Sequence, residues 1–164
     1  MNTMTSGATD RGIAERLAKH PFLKDMPRHH IEILAESATP AHFEKDQIIF
    51  KANEPANGFY LIESGTVALQ GSVLEHGPIT TDIVHAGEPL GWSWLFPPYL
   101  WHFDARATEP VVAICFSGIV LRQHRDDDLT FSHELFKRIS EVMARRLQHT
   151  RARLLEKQAA DLKR

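Results

Sequence analysis

The residues of this chain best suited to recognise a ligand crowd into one stretch, Leu90-Gly-Trp-Ser-Trp-Leu-Phe-Pro-Pro-Tyr-Leu-Trp-His-Phe103. All three tryptophans, Trp92, Trp94 and Trp101, lie there with one of the two tyrosines and the Pro97-Pro98 pair. Each indole offers a broad apolar face and a single N–H donor. The pattern therefore predicts an aromatic-lined pocket for a planar or apolar ligand. Its candidate ligand-binding residues are Leu90, Gly91, Trp92, Ser93, Trp94, Trp101 and His102. A second reading stands beside this one: Trp92 and Trp101 fill the volume themselves, and no ligand enters. The proline pair speaks for a ligand, because it makes a rigid, exposed loop rather than plain core.

Catalytic and metal chemistry are poorly supplied. The chain has 10 histidines, but His76, His85, His102 and His124 are scattered with no His-x-His pair. A cupin-type metal enzyme needs closely spaced histidines and is not expected. No Gly-x-Ser-x-Gly, P-loop or Cys–His nucleophile pattern occurs. Cys115 is the single cysteine, so neither an internal disulfide nor a four-cysteine zinc site can form. No catalytic residue, metal ligand or tightly held cofactor is expected.

The positioning elements must come from 164 residues, a length that suits one domain. With 43% hydrophobic and 24% charged residues the composition is that of a globular protein. No apolar run approaches the ~20 residues of a membrane span. Met1–Asp10 is polar and lacks a signal core, so a cytoplasmic protein is expected. The net charge of -2 hides an asymmetry: nine basic and three acidic residues fall between Lys137 and Arg164, leaving the rest strongly acidic. That basic segment could meet nucleic acid, a membrane surface or an acidic partner, or it could pack on its own acidic domain; its apolar interleaving fits the latter.

Three regions follow: residues 1–10 as a disordered start, 11–125 as a β-domain with short helices before it, and 126–164 as one long helix. Asp10–Ala18 has a helical apolar face ending at His20-Pro21. A second helix opens at Pro27 and stops at Thr39-Pro40. Between Ala41 and Arg122 the period changes. Gln47–Phe50, Phe59–Ile62, Thr66–Leu69, Thr81–Val84 and Val111–Phe116 read as short strands separated by turn signals. Ser64-Gly65 reads as a tight hairpin turn. After Asp126-Asp-Asp128, Leu135, Ile139, Val142/Met143, Leu147, Thr150 and Leu154 recur at helical steps. At ~1.5 Å per residue this helix outreaches a domain of this size, so a homodimer through those same residues is expected.

This order of elements resembles the cyclic nucleotide-binding domain of the catabolite activator family. Phe43–Val67 looks like that family's early strands and glycine turns, Gly87-Glu-Pro-Leu-Gly-Trp92 like the start of its phosphate-binding cassette, and Met143–Thr150 like its dimerisation helix. The resemblance implies a mainly β fold, a double antiparallel β-roll of jelly-roll type, with short N-terminal helices and a long C-terminal one. It also implies that Arg146 lies near the cassette and that Thr150 stands where the family touches the base across the dimer.

The departures bear on function. The family's cassette carries a glutamate for the ribose hydroxyl and an arginine for the cyclic phosphate. Here Gly91 is kept, but those positions are Trp92 and Trp101. Losing two charge-assisted contacts weakens binding by roughly a hundredfold to ten-thousandfold. Backbone amides at Trp92–Trp94, His102 or Arg106 are the remaining anion donors. Cyclic AMP is thus not expected to bind in the usual way. Exchanging Trp101 for arginine and Trp92 for glutamate should restore some affinity if the indoles alone block it.

The expectation is a non-catalytic sensory or regulatory domain, binding either an unknown small molecule or no ligand, and signalling to an unknown protein. Most relatives carry a helix-turn-helix after the long helix. The residues to Arg164 leave no room for one, so this chain is not expected to read DNA sequence; the alternative is a truncated transcription regulator that does bind a cyclic nucleotide.

Overall fold

The structure, a computed structural model, describes residues 6–164 and the side chains from residue 12. The elements are α1 (Ser6–Lys19), α2 (Arg28–Ala35), β1 (Thr39–Phe43), β2 (Ile48–Phe50), β3 (Gly58–Ser64), β4 (Val67–Val73), β5 (Gly77–Val84), β6 (Pro89–Leu90), β7 (Asp104–Ala107), β8 (Val111–Ser117), α3 (Gly118–Asp127) and α4 (Leu129–Leu162). The strands make two four-stranded antiparallel sheets, ordered β1-β8-β3-β6 and β2-β7-β4-β5. This is the β-roll of jelly-roll type with flanking helices that the sequence implies.

Strands β3 and β8 are apolar on both sides because their sheet is covered twice. Phe59, Leu61, Ile114 and Phe116 point into a core shared with α1, α2, α3 and the first half of α4. Ile62, Val111 and Ala113 face the other way, into a core between the sheets with Phe50, Val67, Leu69, Val84 and Trp101. A strand covered on both faces loses the polar/apolar alternation of a half-exposed one.

Several expectations need correcting. Residues 1–5 lie outside the described residues, but helix α1 begins at Ser6, inside the stretch expected to be disordered. Ser64-Gly65 does not close a hairpin, since β3 and β4 belong to opposite sheets. The chain crosses between layers there, and Gly65, at φ +87°, passes so close to Pro110 that an added Cβ would sit 2.4 Å from its carbonyl oxygen. The hairpin lies between β4 and β5 instead. The long helix starts at Leu129, not 126, with Asp128 capping it through Phe131 N–H at 3.0 Å.

His20 ties the N-terminal helices to the β-roll. It is buried, its Nε2 lies 2.8 Å from the Ile62 carbonyl oxygen, and its Nδ1 accepts the Phe22 N–H at 3.2 Å. Only a neutral ring with its proton on Nε2 satisfies both bonds. Burial pushes the imidazole below its usual range, as it does for buried His30. A depressed folded-state value gives stability that is full above the unfolded value, about 6.5, and is lost as pH falls from there. The melting temperature should therefore drop between pH 7 and pH 5, where carboxylates remain ionised. In His20→Leu the melting curve should start lower but fall less steeply over that window. An unchanged slope would remove His20 from the account.

Candidate functional site

Helix α4 carries two adjacent apolar stripes, and the chain's own core takes up one fully and the other only in its first half. Leu135, Ile139 and Val142 are buried in the chain's own core. They are therefore not available as dimer residues, contrary to expectation. The neighbouring stripe, Phe136, Ser140, Met143, Leu147, Thr150 and Leu154, steps by four and three residues as a coiled-coil seam does. Phe136 and Met143 are half-buried, while Leu147 is 70% exposed and Leu154 54%. Leu147, Thr150 and Leu154 thus lie where the sequence places an interface, and Leu155, at 57%, borders them.

Beyond Val142 two arginines hold α4 to the sheet, two helical turns apart on one face. Arg153 donates from Nη1 to the Thr81 carbonyl oxygen at 3.0 Å, and Arg146 from Nη2 to that of Pro89 at 2.8 Å. Part of the basic segment therefore packs on its own domain. Arg146 Nε is 3.8 Å from Asp82 Oδ2, and its Nη2 is 3.5 Å from Glu88 Oε2. Its guanidinium carbon sits 4.8 Å above the Trp92 ring. Burial lowers its pKa from the usual arginine value, with Glu88 and Asp82 opposing that shift. Its Nε and Nη1 are buried and have no hydrogen-bond acceptor.

Arg146 and Asp82 are shared by two cavities. One, of about 460 Å³, has an apolar wall of Leu69, Trp92, Phe103, Met143 and Leu147, with Thr81 and Thr150 among its polar groups. The other, of about 420 Å³, is charged, with Glu88, His85, His149, Arg145 and Arg153 around it. Among the described residues no three of His, Cys, Asp and Glu converge on a possible metal position.

Of the residues singled out in the sequence, Trp92, Arg146 and Thr150 come together on the apolar cavity, and six others do not. Trp94 is 0% exposed and packs under the other sheet face, 5.7 Å from the Phe59 ring centroid. Trp101, 3% exposed, lies between the sheets, stacked on Phe50 at 3.8 Å and 9°. Leu90, Gly91 and Ser93 are buried, and His102 points to solvent. Gly91 has φ +83°, and a Cβ there would lie 2.6 Å from Trp101 Cζ3. The Trp101 indole thus occupies the space a side chain at residue 91 would need. Arg106, on β7, is half-buried, borders neither cavity, and its Nε has no acceptor. The sequence reading missed Leu69, Asp82, Glu88 and Phe103. Phe103 closes the aromatic stretch and Glu88 lies in the Gly87–Trp92 motif, while Asp82 left a signal as a carboxylate inside the apolar strand Thr81–Val84.

A β-roll of two four-stranded sheets with a long C-terminal helix is the layout of a cyclic nucleotide-binding-like regulatory domain, and the comparisons agree. Residues 40–128 match the cyclic nucleotide-binding domain, and the chain belongs to that family. A candidate cyclic nucleotide-binding protein from Geobacter metallireducens GS-15 is similar at 26% identity and TM-score 0.73, over 82% of this chain and 97% of its own. A cyclic nucleotide-binding domain from Methylobacillus flagellatus KT shares the fold at 18% identity and TM-score 0.74, over 92% and 84%. The regulatory subunit of a cAMP-independent protein kinase A from Trypanosoma brucei does so at 21% and 0.68, over 85% of this chain and 50% of its own. No curated protein sequence matches significantly. No helix among the described residues is long and apolar enough to cross a membrane.

Proposed function

We propose that the chain is a non-catalytic, cytoplasmic regulatory domain that binds a small molecule other than a conventionally held cyclic nucleotide. The ligand enters the cavity between α4 and the β-roll. The observation that carries this reading is an apolar cavity beside Gly91, whose Cβ space the Trp101 indole fills; in this reading Trp92 and Trp101 stand at the cassette's two charged positions. A cyclic phosphate has no arginine fork there. That the trypanosome protein kinase A whose regulatory subunit has this fold is cAMP-independent supports the reading by analogy.

In this reading two copies pair through Leu147, Thr150 and Leu154, and the pairing passes the bound state to a protein partner. Binding must favour one helix arrangement over another to carry a signal. Native mass spectrometry tests both parts. The protein should run as a dimer that retains a small mass lost on denaturation, and Leu147→Glu with Leu154→Glu should give a folded monomer. A wild-type monomer would overturn the pairing. A second reading draws on Trp101, which fills the inter-sheet space: a domain with no ligand, acting through protein contacts alone. A dimer that carries no small mass would favour it.

A further inference from the structure

Resting on the cavity reading above, we infer that the ligand is a planar aromatic acid whose single carboxylate is held by Arg146. The wall dictates the body of the ligand. Trp92 and Phe103 line the cavity with aromatic rings, and Leu69, Met143 and Leu147 complete an open, mostly apolar wall with room for a two-ring molecule. The guanidinium dictates its charge. Arg146 Nη2 is engaged by the Pro89 carbonyl oxygen, whereas Nε and Nη1 are buried without acceptors. Buried donors left unpaired are rare in folded proteins, and a carboxylate is the acceptor that suits a guanidinium edge.

The protein's own carboxylates do not already fill that role. Asp82 Oδ2 and Glu88 Oε2 stand 3.8 and 3.5 Å from the guanidinium, and Asp82 Oδ1 accepts the Ile83 N–H at 2.9 Å. They form ion pairs with the guanidinium but no close hydrogen bond, and so oppose a second anionic group. That is why the ligand carries one negative charge. Arg146 lies on α4, while Asp82 and Pro89 lie on β5 and β6. A carboxylate taking a share of the guanidinium weakens the hold of the sheet on the helix, which couples binding to helix position.

The test compares 2-naphthoate, 2-naphthamide and 2-naphthylmethylammonium by calorimetric titration of the full chain. Naphthoate should bind about ten- to hundredfold more tightly than the isosteric amide, the range of one charge-assisted hydrogen bond. Arg146→Gln should abolish that difference. The acid and amide are compared in the wild-type protein, so the result stands even if the variant folds poorly. Equal binding of acid and amide, or a preference for the ammonium probe, overturns the aromatic acid yet leaves the cavity reading intact. Failure of all three probes also overturns the acid, and the mass spectrometry above then decides separately whether any ligand is held.

Discussion

Gly91→Ala should be among the most destabilising single substitutions in the β-roll. Alanine at φ +83° is strained by about 1–2 kcal/mol from the backbone alone. Its methyl would also lie 2.6 and 2.7 Å from two carbons of Trp101, whose ring is stacked on Phe50 and cannot step aside. Overpacking of this kind adds about 1–3 kcal/mol. At roughly 2–4 °C per kcal/mol for a domain of this size, the melting temperature should fall by about 5–20 °C. A double-mutant cycle with Trp101→Phe separates the two contributions. The smaller ring relieves the clash but not the φ strain, so the pair should be less destabilised than the sum of the single variants. Additive losses in thermal or denaturant unfolding would show that the methyl and the indole do not compete for the same space.

That contact was only half legible in the sequence. The β-roll could be read because its turn residues and short apolar runs repeat. Strand β1 was hidden because Thr39-Pro40 reads as a helix stop, yet it pairs along the edge of β8 where a proline is tolerated. Strands β6 and β7 have two and four residues, too few to show a period. The helix stripes illustrate a different limit. A spacing of three and four residues fits Leu135–Ile139–Val142 and Phe136–Met143–Leu147 equally well, and only the packed β-roll decides which stripe is spent inside the chain. The three tryptophans look alike in sequence but part company after Gly91. Its positive φ and the following 3-10 turn at Ser93–Leu95 send Trp94 beneath one sheet, while Trp92 stays on the cavity and Trp101 returns between the sheets. The candidate site is therefore legible as a neighbourhood. Its membership depends on where one turn points each ring.

The same geometry sets the outcome of putting the charged pair back. Trp92→Glu alone should be tolerated: residue 92 is half-buried, and a carboxylate there would meet the Arg146 guanidinium now lying over the ring. Trp101→Arg should not be. It removes an aromatic side chain that is only 3% exposed, a loss of about 3–5 kcal/mol for large core rings, and leaves a guanidinium in the apolar core between the sheets with Phe50, Val67 and Leu90. Against a typical total of about 5–15 kcal/mol, that change alone should bring the protein near unfolding at room temperature. The double variant should therefore melt far below the wild type, seen by circular dichroism, and should gain no cyclic AMP affinity in calorimetry. The sequence comparison treats the two indoles as substitutions within an otherwise intact cradle. The packing makes Trp101 part of the core that holds the sheets together. A double variant that melts like the wild type and binds cyclic AMP in the micromolar range would show the cradle to be intact after all.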